Sequence, residues 1–86
     1  MIELVKGERR KIKLFVHSKK NDIFVIRNAK VEIFLYGELI KTIDCDIDDH
    51  NLIFILSLED VGTYSMTAAY EIADEIIKNK FKIEVK

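Results

Sequence analysis

The densest run of groups able to do chemistry is Asp44-Cys45-Asp46-Ile47-Asp48-Asp49-His50. Its alternate carboxylates, Asp44, Asp46 and Asp48, match the opening of a calcium-binding loop, where oxygen ligands recur at that spacing. The rest of that pattern is missing. The sixth position is Asp49 where a Gly must turn the chain, and the twelfth is Ile55 where a bidentate Glu is required. Read as an extended strand, the run places Asp44 and Asp46 together on one solvated face. Zinc would need closely spaced nitrogen and sulfur ligands, and one cysteine with two distant histidines, His17 and His50, offers none. Cys45 is in phase with Ile43 and Ile47, which predicts a buried small apolar side chain and no reactive thiol, since no neighbouring cation favours the thiolate. A Cys45–His50 pair would join a core-facing residue to a turn residue facing water. Glu59 and Asp60 are adjacent acids, but they sit in a corner that gives Asp60 an architectural role. The three glycines lie too far apart to cradle a phosphate. These readings predict a protein that is not an enzyme, with no catalytic residue, no metal and no cofactor.

Binding residues are easier to find. Arg9-Arg10-Lys11, with Lys13 and Phe15 after it, could neutralise phosphates and stack on a base. The sequence pI of about 6.1 and the acidic middle of the chain repel the same polymer, so nucleic acid is not the expected partner. Phe15, Phe34 and Tyr36 fall on the polar phase of their strands. Either they form exposed aromatic spots of the kind used between proteins, or twist or a bulge turns them inward. Phe15, Phe34, Tyr36, Arg9, Arg10 and Lys11 are the candidate interface residues.

The charge is unevenly distributed. Residues 1–30 carry nine Lys/Arg against three acids, residues 31–75 one Lys against eleven acids, and residues 76–86 four Lys against one Glu. If the first and last strands are neighbours, the basic ends form one positive surface and the middle a negative one, and copies of the chain can pair head to tail.

The elements that must position these residues are strands. Ile12, Leu14 and Val16 alternate with Lys11, Lys13, Phe15 and His17, and Val31, Ile33 and Leu35 with Glu32, Phe34 and Tyr36. Gly37-Glu38 predicts a two-residue type II′ hairpin turn between the second of these runs and the next. The return strand carries Ile43, Cys45 and Ile47 on one side and Thr42, Asp44, Asp46 and Asp48 on the other. Residues 48–51 then make a second turn and residues 52–58 the next strand. Residues 18–22 read as a polar turn, and residues 23–26 as a short strand or extended loop. A hairpin bend is expected at Ala73-Asp74-Glu75, followed by Phe81, Ile83 and Val85 inward against Lys80, Lys82, Glu84 and Lys86 outward. Between Leu58 and Tyr64 the chain turns a corner, where a Tyr after Asp-x-Gly can hydrogen-bond back to the backbone and pin one sheet against the other. Asp60, Gly62 and Tyr64 are that structural corner. The pattern predicts an all-β fold, a β-sandwich of about seven antiparallel strands, in a single domain over residues 1–86.

The longest apolar run, residues 52–56, is far shorter than a membrane span, and the first residues lead into charge, so neither a membrane segment nor an export signal is expected in this chain. A single cysteine fits a reducing compartment.

The Asp60-x-Gly62-x-Tyr64 corner, with Met66 where many immunoglobulin domains carry Cys, resembles that superfamily. Along nearly its whole length the chain is similar to the small immunoglobulin-like domains of bacteriophage and prophage structural proteins, such as the N-terminal domain of baseplate upper proteins. The likeness rests on the corner Lys6-Gly7-Glu8, the Asn28-Ala29-Lys30-Val31 lead-in to the middle hairpin, the Gly62-Thr63-Tyr64 corner and the closing strand Phe81-Lys82-Ile83-Glu84-Val85. Two features depart from it: Ala73-Asp74-Glu75 replaces the usual Gly-rich hairpin, and relatives often continue into a linker. The resemblance implies an immunoglobulin-like β-sandwich that serves as a structural or adaptor domain of a tail or baseplate. Its partners would be other phage structural proteins or copies of itself. Its location would be the virion, or the bacterial cytoplasm before assembly. The alternative expectation is a recognition module of a bacterial surface protein, binding a glycan or host ligand.

Overall fold

The computed structural model describes residues 2–16 and 25–86. His17, the turn expected over 18–22 and the first half of the apolar patch at 23–26 therefore lie outside the described residues. Among the described residues there is no helix; the strands are β1 (Ile2–Leu4), β2 (Arg9–Phe15), β3 (Ile26–Leu35), β4 (Glu38–Asp44), β5 (Asp46–Asp48), β6 (Asn51–Ser57), β7 (Gly62–Ile72) and β8 (Glu75–Val85). They form a five-stranded sheet in the order β1-β8-β7-β3-β4 and a three-stranded sheet in the order β2-β6-β5. The architecture is all-β and sandwich-like, with the side chains of alternate residues meeting between the sheets.

Period-two patterning explains which residues meet there. Val31 and Ile33 of β3, Phe54 and Leu56 of β6, Tyr64, Met66 and Ala68 of β7, and Ile83 and Val85 of β8 form the larger apolar cluster, joined by Leu4 and Leu58. A smaller cluster of Val16, Ile26, Leu52 and Tyr70 fills the far end. No polar or charged residue among those described is buried. The Tyr70 hydroxyl accepts a hydrogen bond from Asn79 Nδ2 at 2.9 Å, which satisfies the one polar atom of that smaller cluster's largest side chain.

Four expectations are corrected. The first concerns strand direction: the described residues form eight strands, close to the number expected, but β1 runs parallel to β8 with Ile2, Glu3 and Leu4 opposite Ile83, Glu84 and Val85. The sheet is therefore mixed. After Leu4 the chain crosses to the other sheet, so β1 has no hairpin partner; backbone bonds from Lys6 N to Lys86 O and from Lys86 N to Leu4 O, each 2.9 Å, extend the parallel ladder.

The second correction is the middle hairpin. Its two-residue loop is Tyr36-Gly37, closed by Leu35 opposite Glu38, and both loop residues have positive φ, 52° and 79°. Those are the signs of a type I′ turn, whose twist matches that of the flanking strands. Gly37 fills the second central position and not the first. A bulge at Ile40 follows, since Ile33 pairs with Lys41 and Phe34 with Leu39.

Third, the expected strand over residues 42–48 is two strands in different sheets. β4 ends at Asp44, β5 begins at Asp46, and Cys45 is the single residue between them. Its amide donates to Ala29 O at 3.2 Å while its side chain packs against both core clusters. Asp44 and Asp46 consequently do not share a face: Asp44 is opposite Lys30 and Asp46 opposite Ile53.

Fourth, Ile26 opens the ten-residue β3, with a bulge between Ile26 and Ala29 opposite β7, so it is no part of a separate short element. The hairpin bend at residues 73–75 is observed, with Ala73 at φ 53° and Ile72 opposite Glu75.

Candidate functional site

The corner predicted around Asp60, Gly62 and Tyr64 is built as a hydrogen bond from the Tyr64 hydroxyl to the main-chain oxygen of Asp60, 2.7 Å. Tyr64 is 3% exposed and lies among the larger cluster, so its ring packs while its hydroxyl reaches the loop. Burial, and after it the nearby Asp60 and Tyr36, hold its phenol above the ordinary value. Asp60 takes part through its backbone, and its own side chain is exposed. The role of this corner is architectural.

Phe15, Phe34 and Tyr36 are not brought together. Phe15, 58% exposed, ends β2 on the outer face of the three-stranded sheet, its ring 6.4 Å from that of His50 and tilted by 57°. Phe34 is half-buried on the outer face of the other sheet, in a row with Ser65 and Lys82. Tyr36 stands at the tip of the middle hairpin, 94% exposed. A bulky residue with φ near +50° costs roughly 1 kcal/mol relative to one that tolerates the left-handed region. Tyr36→Asn should therefore raise the melting temperature by about 4 °C, as differential scanning calorimetry would register. An unchanged or lower value would mean that the ring stabilises the hairpin.

The basic triplet is split by the strand period. Arg9 and Lys11 point outward with Lys13, while Arg10 lies in the phase of Ile12 and Leu14 at the open side of the sandwich. There Arg10 donates to Glu3 O at 3.0 Å and pairs with Glu8 at 2.8 Å, tying β2 to β1. The Glu8 carboxyl is held below its ordinary value by the Val5 amide and then by Arg10. Arg10 is thus a strap between the sheets, a role that its neighbours in sequence do not share.

Sheet order sorts the remaining charge. β4 and β5, joined through Cys45, form one lateral edge and carry Glu38, Asp44, Asp46 and Asp48 against Lys41. β1 with β8, and β2 across from them, form the opposite edge and carry Arg9, Lys11, Lys13, Lys78, Lys80 and Lys82 against Glu3, Glu75 and Glu84. First and last strands are neighbours, as the charge reading required, and the net excess of acid and the net excess of base lie on opposite sides. Arg27 and Lys30 are exceptions on β3; Arg27 pairs with Glu71 at 3.2 Å.

One open cleft of about 330 Å³ lies on the outer face of the five-stranded sheet at the β3 bulge, lined among others by Asn28, Lys30, Asp44, Tyr70, Glu71 and Ile76. Glu71 is engaged by both Arg27 and Asn28, and among the described residues no histidine, cysteine or serine lines the cleft. Among the described residues no group of three or more His, Cys, Asp or Glu is placed to hold a metal ion, and no helix is long and apolar enough to cross a membrane.

Cys45 packs inward as its phase predicts. Burial first, then the carboxylates of Asp44 and Asp46, push its thiol from 9.0 up to about 11. Two consequences follow. Thiolate at neutral pH is about a hundredfold scarcer than for an ordinary cysteine, so iodoacetamide should label the native protein about a hundredfold more slowly than the urea-unfolded chain. The folded state also prefers the protonated thiol, so this contribution to stability is complete below pH 9 and is lost as pH rises toward 11. Urea midpoints at pH 7.5, 9 and 10.5 should fall, and Cys45→Ala should flatten the fall between 9 and 10.5. An equally steep fall in that variant would assign the alkaline loss elsewhere.

No family model matches the chain, and no curated protein matches it. Its fold is similar to part of an engineered protein whose crystal structure comes from the Northeast Structural Genomics Consortium, with a TM-score of 0.80 and 15% identity. The match covers 99% of this chain and 18% of that one. This chain thus spans less than a fifth of that protein, and the likeness concerns the fold alone.

Proposed function

We propose that this chain is an immunoglobulin-like β-sandwich that works without catalysis, by binding proteins, as a structural or adaptor domain of a phage or prophage tail or baseplate. The immunoglobulin-like reading draws support from strand order: β2-β6-β5 corresponds to the B-E-D sheet and β8-β7-β3-β4 to G-F-C-C′. The Tyr64 bond sits at the start of β7, where the F strand of such domains carries its corner tyrosine. The phage assignment rests on the motifs at Lys6-Gly7-Glu8, Asn28-Ala29-Lys30-Val31, Gly62-Thr63-Tyr64 and Phe81-Lys82-Ile83-Glu84-Val85.

The observation that carries protein binding is the net excess of acid on one edge and of base on the other. It is joined by exposed apolar side chains at the corner end: Val5, Tyr36, Leu39, Ile40 and Val61 are between 46% and 94% exposed. Such surfaces attract partners of complementary charge and bury apolar area on contact. Light scattering at low and high salt, alone and with candidate tail and head proteins, tests the reading. Association that weakens with salt supports it. A monomer at every salt with no affinity for any tail or head protein overturns it.

A further inference from the structure

We propose that the outer face of the three-stranded sheet is a self-pairing surface that takes a second copy of this chain across a two-fold axis parallel to β6. The inference rests on the reading of the chain as a protein-binding module and names one partner for it.

Register determines what this face presents. Residues directly opposite in an antiparallel ladder share a face. On β2 the outward residues are Arg9, Lys11 and Lys13, with Phe15 at the end of the strand. On β6 they are Asn51, Ile53, Ile55 and Ser57. On β5 they are Asp46 and Asp48. The face is therefore three columns, one basic, one apolar at Ile53 and Ile55 between polar ends, and one acidic, and Lys13, Ile53 and Asp46 form one complete row. Ile55 is 49% exposed in the middle column. Neighbouring strands lie about 4.8 Å apart, so the basic and acidic columns are separated by roughly 10 Å, too far to neutralise each other directly. Among the described residues none of Arg9, Lys11, Lys13, Asp46 and Asp48 is in an ion pair.

Such a face is complementary to itself in one orientation. A two-fold axis along the strand direction reverses left and right but keeps each row at its own level. Lys13 of each copy then lies over Asp46 of the other, Lys11 and Asp48 flank them, and the Ile53-Ile55 columns meet at the axis. A two-fold across the strands would instead set base on base and acid on acid. A polyanion meets the acidic column as soon as it meets the basic one, which favours a partner with both charges. Two strands of seven residues and one of three cover about 270 Å² at the usual strand spacing and rise, so pairing buries on the order of 500 Å² in total. That is below the area of a stable dimer, so the pair is weak, salt-sensitive and suited to an assembly that holds many copies close together.

Sedimentation equilibrium of the whole chain at about 20 mM and about 500 mM salt tests this. The expected result is a monomer–dimer equilibrium that stops at two copies and weakens at least about tenfold at high salt. Lys11→Glu with Lys13→Glu should be monomeric at both salts, as should Asp46→Lys with Asp48→Lys, because each places like charge on like. An equimolar mixture of the two should dimerise at low salt, since one copy then presents acid in both columns apart from Arg9 and the other presents base in both. Ile55→Asp, in the wild-type background, should weaken the pair. A wild-type monomer at low salt, growth beyond two copies, or reversed variants that pair as the wild type does would each overturn the proposal. Binding of a tail or head protein by a chain that does not self-associate would overturn this inference while leaving the protein-binding reading in place.

Discussion

Tyr64→Ala should lower the free energy of unfolding by about 3–5 kcal/mol, the usual loss for a large buried aromatic. For an 86-residue domain, whose total stability is about 4–13 kcal/mol, that removes much of the margin. Two separable contributions make up the loss. The ring is 3% exposed between the sheets, and the hydroxyl donates to Asp60 O at 2.7 Å. Tyr64→Phe keeps the first and deletes the second, so it should cost only about 1 kcal/mol. Asp60→Ala should change stability by less than about 0.5 kcal/mol, because the acceptor is a main-chain oxygen that alanine also provides. Urea denaturation of the three variants would separate these contributions. If Asp60→Ala proved as costly as Tyr64→Phe, the carboxylate and not the backbone would be the working part of the corner.

The corner was legible because it is local: five residues carry the Asp-x-Gly-x-Tyr spacing, and the hydroxyl reaches back only four positions. The same holds for the inward set Phe81, Ile83 and Val85 and for the bend at Ala73, where period two persists up to the turn. Sheet membership was not legible. Ile43, Cys45 and Ile47 keep one phase across the crossing, because a chain that passes from one sheet to the facing one still points the same alternate residues at the core. Alternation reports inward against outward and is silent about which sheet. That is why the strand over 42–48 read as one element, and why Asp44 and Asp46 were expected side by side. The hairpin at Tyr36-Gly37 was misplaced by one residue for a related reason: a glycine suits the first position of one turn type and the second of another, and the bulge at Ile40 disguises the register. Parallel pairing of β1 with β8 joins residues 81 positions apart, as in Ile2 and Ile83, and no short-range pattern encodes it.

The candidate surface divides in the same way. That Arg9 and Lys11 point away from Arg10 follows from alternation alone. The engagement of Arg10 by Glu3 O and Glu8 depends on β1 and β2 meeting at one open side, which only the assembled fold supplies. The columns on the outer face of the three-stranded sheet need the register of β2 with β6 and of β6 with β5 before Lys13, Ile53 and Asp46 become one row. Charge segregation along the sequence was a clue to charge segregation in space because strand order keeps β4 and β5 together at one edge and the chain ends together at the other.

Ile33→Ala should cost about 2–5 kcal/mol, set against a change of less than about 0.5 kcal/mol for Ile76→Ala. The two residues are chemically identical and both lie in long strands of the same sheet. Ile33 is fully buried on β3, opposite Met66 of β7 and Lys41 of β4, and belongs to the larger cluster. Ile76 on β8 is 71% exposed. Removing three carbons from Ile33 leaves a gap that β3 cannot close by shifting, because it is hydrogen-bonded on both sides, to β4 and β7. The cost should therefore fall in the upper part of its range. Urea midpoints should separate widely while the slopes of the two transitions stay alike, since neither change alters how much surface unfolding exposes. Equal midpoints would mean that the space between the sheets collapses freely around Ile33, and that β3 is not the fixed centre of the five-stranded sheet.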